Sequence, residues 1–153
     1  MRRGTMRMAA VLGGGLLMGG AGLALAVTPA QVIKERRAGF KHMGENFKAM
    51  KQAIDAGADV KPMAARAAEI EAWAKKFPGM FPPGTETGGG THARPAVWSD
   101  RPGFEKHNME LQQAAAKLEQ AAQSGDKAAF AAQWKATGKV CGGCHETYRY
   151  KLS

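Results

Sequence analysis

From Thr28 onward the apolar residues recur at steps of three, four and seven, and no run of alternating β-branched residues appears. That period belongs to helices that pack by one face, so the chain is expected to be all-α. Thr28 and Pro29 read as N-cap and first position of a helix whose stripe is Ile33, Phe40, Met43, Phe47, Met50 and Ile54, closed by Gly57. A second helix is predicted from about Pro62 to Phe77, with Met63, Ala67, Ile70, Trp73 and Phe77 on one face and Pro78-Gly79 as its stop. The stretch from there to about Pro102 is rich in Pro, Gly and Thr and has no period, so it reads as a long loop, packed through Phe81 and Trp98. A third helix is expected over about Arg101–Gln123, with Phe104, Leu111, Ala115, Leu118 and Ala122 inward, and a turn at Ser124-Gly125-Asp126. The fourth runs from Asp126 to about Tyr150, with Phe130, Trp134, Thr137, Cys141, Cys144, His145 and Tyr148 inward. Four such helices with two short connections and one long one predict an antiparallel four-helix bundle.

The 153 residues suffice for one domain. Residues 1–26 are set apart from it. Arg2, Arg3 and Arg7 precede a nearly uncharged run that ends in Ala24-Leu25-Ala26, the pattern of an export signal cut after Ala26. The run is also about as long as the ~20 residues of a membrane span, but its glycines and its A-x-A ending favour cleavage. The expected mature domain is therefore 27–153, located in the periplasm. Losing three arginines and no acidic residue takes the net charge from +9 to +6. No stripe of Lys and Arg with interleaved aromatics accompanies that charge, so nucleic acid is not an expected partner, whereas an acidic protein or an anionic surface is.

Both cysteines fall in Cys141-Gly142-Gly143-Cys144-His145, the C-x-x-C-H pattern of covalent haem attachment. On a helix, Cys141 and Cys144 share a face and can each form a thioether with a porphyrin vinyl, while His145 projects from that face towards iron. Glycines between them let a macrocycle approach the backbone, at about 1 kcal/mol of helix propensity each. A redox C-x-x-C wants a strand before it and a helix after it. A zinc site wants four ligands, and His42, His92 and His107 are scattered over other segments. The expected cofactor is one haem c per chain, with Cys141 and Cys144 as attachment points and His145 as metal ligand.

Haem attachment near the end of an all-helical chain of this size resembles the cytochrome c prime family, the class II cytochromes c. The resemblance is carried by residues 32–44, by Arg94 through Asp100, and by Cys141 through Arg149. It implies a left-handed four-helix bundle, often a homodimer, with haem inside. It also implies that Phe40 sits over the open face of the iron. Relatives with methionine there are six-coordinate and low-spin, and those with Leu or Phe are five-coordinate and largely high-spin. Phenylalanine has no lone pair to give. Met43, one turn along the same stripe, is the rival sixth ligand, although a helix-face methionine is more often a core filler. Arg36 inside an apolar stripe calls for an anion, a haem propionate being the available one, with Arg37 beside it; snorkelling to the bundle edge is the alternative. Arg149 matches an arginine that the family places near the proximal side of the haem. Glu86, with Thr87 and Thr91, is the loop's candidate for the other haem edge.

Two functions follow as expectations. One is a five-coordinate haem protein that binds nitric oxide or carbon monoxide behind an apolar gate, and the family implies that nitric oxide weakens the His145 bond. The other is an electron carrier that docks acidic redox proteins, six-coordinate if Met43 ligates. Catalysis is not expected: the nearest acid-base group, His42, is two residues from Phe40 and so turned away from the haem face.

Overall fold

The computed structural model describes residues 27–151, and the proposed export signal, 1–26, lies outside them. Five helices and no strand appear among the described residues: α1 (Pro29–Asp55), α2 (Met63–Lys76), α3 (Ala96–Ser99), α4 (Arg101–Ser124) and α5 (Lys127–Tyr148). Four of them, α1, α2, α4 and α5, form the expected four-helix bundle. Thr28 closes a capping box with Gln31, and Asp100 and Asp126 cap α4 and α5 through their side chains. Gly125, in the left-handed region, ends α4.

Two expectations are corrected here. The Pro-Gly-rich stretch is not without structure: Phe77–Met80 is a 3₁₀ turn and Ala96–Ser99 is a short helix. The last helix stops at Tyr148 rather than Tyr150, because Arg149 turns extended and bridges Ala93 of the loop.

Side-chain size sets the spacing of the bundle. Fully buried Ala67 and Ala74 of α2 and Ala115 and Ala122 of α4 let those helices approach closely, and Asn108 Nδ2 donates to Ala74 O at 2.6 Å across the seam. Between α1 and α5 the side chains are bulky. Phe47 stacks on Trp134 with centroids 4.6 Å apart, and Trp134 Nε1 donates to Phe47 O at 3.0 Å. This pair props α1 and α5 apart at one end of the space between them.

The loop closes the other end. Arg36 is 2% exposed, and its guanidinium donates to Met80 O (2.9 Å), to Thr85 Oγ1 and O (both 3.1 Å) and to Thr91 Oγ1 (2.7 Å), lying 4.2 Å above the Phe81 ring. Gly89 and Gly90, both at positive φ, bring the loop against α1. A Cβ on residue 89 would fall 2.8 Å from Ile33, and Gly89 O accepts from Arg37 at 2.9 Å.

Candidate functional site

The gap between α1 and α5 is a cavity of about 660 Å³, in the range of ordinary cofactor sites. One wall is α1, with Arg36, Arg37, Phe40, Lys41, Met43 and Phe47. Facing it, α5 contributes Thr137, Cys141, Cys144, His145 and Tyr148, with Arg149 just beyond. Ile70, Phe104, His107 and Leu111 come from α2 and α4, and Phe77, Phe81, Thr91 and His92 from the connecting segment.

Phe40 is held in an aromatic cluster, with Phe77, Trp73 and Phe81 at centroid distances of 5.0, 5.9 and 6.3 Å. Met43 lines the same cavity one turn on, and also the shallow groove between α1 and α2 that holds Trp73. His42 faces that groove, with Nε2 2.9 Å from Glu69 Oε2.

Cys141 and Cys144 are half-buried and not joined by a disulfide. Burial pushes the Cys141 thiol up. The Cys144 thiol is pushed up to about 11, by burial first and then by Cys141 and Glu110. A redox C-x-x-C has a depressed thiol, so the electrostatics here oppose that chemistry. Partial burial, with Arg149 nearby, holds His145 below the usual imidazole range, so its ring stays neutral and keeps a lone pair for a metal. Among the described residues no three His, Cys, Asp or Glu side chains gather as a group that could hold a metal ion.

Other expected site residues fall as follows. Arg37 lines the cavity, Arg149 does too, and Arg149 N–H caps α5 on His145 O at 3.3 Å. Arg36 also lines it; it is buried rather than snorkelling to the bundle edge, and the protein atoms it binds are neutral loop oxygens. Burial pulls its guanidinium below the ordinary range, and the charge of Glu86 partly opposes that. Glu86 and Thr87 are not in the cavity wall, whereas Thr91 is. His107, weighed from the sequence only as a zinc ligand, also lines the cavity, and its steps of three from Phe104 and four to Leu111 put it on the inward stripe. Its Nδ1 is buried and, though 3.1 Å from Glu110 Oε2, lacks a well-aligned hydrogen bond. Sequence reasoning passed over the hydroxyl of Tyr148, which donates to Asp100 Oδ2 at 2.6 Å.

The cavity's lining suits a haem. It is mostly apolar, includes Arg36, Arg37, Lys41 and Arg149, and contains no Asp or Glu. That suits an apolar macrocycle with two carboxylates, and the two thiols and a neutral imidazole lie together in one wall. Residues 31–149 match the profile of the family described as Cytochrome C'. The chain belongs to that family. Its similarity extends to cytochrome c' of Rubrivivax gelatinosus, 36% identical over 126 residues that are 80% of this chain and 97% of that one. It extends also to cytochrome c-556 of Agrobacterium tumefaciens (strain II Chrys), 34% identical over 122 residues, 78% and 97% of the two chains. A solved cytochrome c' described as having ligand-controlled dimer dissociation superposes with TM-score 0.77 at 28% identity, over 81% of this chain and 98% of that one. A nitric oxide complex of a cytochrome c prime mutant from Alcaligenes xylosoxidans gives 0.73 at 29% identity, over 82% and 98%. The family binds haem c, and the residues of this cavity fit it.

Proposed function

We propose that this chain is an exported c-type cytochrome, cut after Ala26 and located in the periplasm, that holds one haem through Cys141 and Cys144 with His145 as the axial ligand. It binds nitric oxide or carbon monoxide and is not an enzyme. The observation that carries this reading is the pairing across one cavity of His145 on α5 with Phe40 on α1. Held by these residues, haem would supply an iron able to take a diatomic gas. Phe40 cannot ligate, and a gas must displace it from contacts with Phe77, Trp73 and Phe81. Each such aromatic contact is worth ~0.5–1.5 kcal/mol, so the gate lowers affinity for every ligand. Neither Phe40 nor Met43 is a hydrogen-bond donor, so bound dioxygen gains no support beside them, and nitric oxide needs little. The reported nitric oxide complex of a similar protein supports the ligand class, and the reported dimer dissociation of another supports a homodimer.

The second reading is electron transfer to acidic redox proteins. Met43 in the cavity wall and the likeness to a cytochrome c-556 favour it. Titration of the reduced holoprotein with carbon monoxide and nitric oxide, followed optically, separates the two. Saturable conversion by both gases is expected. A reduced spectrum indifferent to carbon monoxide would reject gas binding in favour of a Met43-ligated carrier.

A further inference from the structure

His145 begins the last turn of α5, and helix ends fray unless their final carbonyls find partners. Here three of those carbonyls are engaged. His145 O accepts from Arg149 N (3.3 Å), Glu146 O from Arg94 Nη1 (2.9 Å) and Tyr148 O from Arg94 N (3.0 Å), while Tyr150 N donates to His92 O at 2.8 Å.

A side-chain tie joins them. Tyr148, 5% exposed, donates from its hydroxyl to Asp100 Oδ2 at 2.6 Å, and its ring lies edge-on to Phe104 at 5.4 Å. The other oxygen of Asp100 accepts from Gly103 N at 3.2 Å and so caps α4. One carboxylate thus couples the first turn of α4 to the last turn of α5. Room for this comes from Gly103: a Cβ there would overlap both Asp100 Oδ2 and the Tyr148 hydroxyl. The helix stripe accounts for a buried aromatic at 148 but not for a buried hydroxyl aimed at a helix cap.

We propose that the Tyr148–Asp100 hydrogen bond, made possible by Gly103, is a positioning device for His145 that limits how far this imidazole can withdraw from the cavity. Tyr148 acts on His145 through the helix turn, as a positioning residue. The inference rests on His145 being the iron ligand.

Its test uses the holoprotein and three variants. Tyr148→Phe removes the hydroxyl and keeps the ring; Gly103→Ala breaks the tie by an independent route; Asp100→Asn keeps a side chain able to pair with both the hydroxyl and Gly103 N. Three quantities are read: the iron–histidine stretching band of the reduced protein, the fraction that loses the His145 ligand under nitric oxide, and amide exchange over residues 145–149. Tyr148→Phe and Gly103→Ala should lower the band frequency, raise the His145-free fraction and speed exchange roughly ten-fold, about what one hydrogen bond to a charged group is worth. Asp100→Asn, which keeps the link without its charge, should fall between wild type and Tyr148→Phe. If band, fraction and exchange are unchanged in Tyr148→Phe while only the thermal midpoint falls, the hydroxyl serves stability alone and the proposal is wrong. Should either Tyr148→Phe or Gly103→Ala fail to fold, the other decides. A wild-type protein with no iron–histidine band would sink the five-coordinate reading, and the exchange comparison would still judge the tie.

Discussion

Phe40, Arg36 and Tyr148 each carry a separate, testable consequence. Replacing Phe40 by Ala takes a ring out of a cluster of three others, which should raise the association rate of carbon monoxide by about ten-fold or more while costing up to ~3 kcal/mol of stability. Stopped-flow mixing and urea unfolding measure the two effects. Arg36→Met leaves Thr85 and Met80 without their buried donor, so unfolding should cost ~3 kcal/mol less and the loop around Thr85 should become open to proteolysis. The bond to Asp100, then burial and the charge of Asp100, push the Tyr148 phenol up from about 10 to about 12. The folded state therefore favours the neutral hydroxyl. Its contribution is fully present below the unfolded value and is lost as pH rises from about 10 through 12. Alkaline unfolding of Tyr148→Phe should lack that loss.

At the level of elements, α1 is held to α2 by a polar cluster. Buried Asn46 donates to Glu69 Oε2 (2.7 Å) and accepts from Arg66 (2.9 Å), and His42 meets the same carboxylate. The Asn46 hydrogen bond first, then that of His42, holds Glu69 below the usual carboxylate range. A depressed folded value means that the carboxylate stabilises above its unfolded pKa and loses that contribution as pH falls towards the folded one. Glu69→Gln should thus lower the thermal midpoint modestly at neutral pH and flatten the acid limb of its plot against pH, so that variant and wild type converge in acid. The helix elements were legible because their stripes, such as Ile33 to Ile54, repeat within one segment. The loop was not, since Arg36 recognises Met80, Thr85 and Thr91 through backbone and hydroxyl oxygens 44–55 residues away, a partnership with no sequence period. For the same reason the C-x-x-C-H motif could be read directly, whereas the Tyr148–Asp100 tie, 48 residues apart, could not.

Across the whole molecule, tight alanine packing of α2 on α4 and bulky spacing of α5 from α1 produce a cavity that the polypeptide alone fills poorly. A Cys141→Ala/Cys144→Ala chain without attached haem should melt lower by ~10 °C or more and bind a hydrophobic dye, because α1 and α5 lose what packs between them. Positive charge lines that cavity with no acidic residue among its wall groups, which suits an anionic edge on the cofactor and an acidic partner near its mouth. The proposed function makes His145 the sole protein ligand of the iron. Resonance Raman and optical spectra of the resting holoprotein, oxidised and reduced, decide the point. Five-coordinate, largely high-spin haem is expected in both states; a six-coordinate low-spin spectrum that reverts to five-coordinate in Met43→Leu would overturn the proposed ligation.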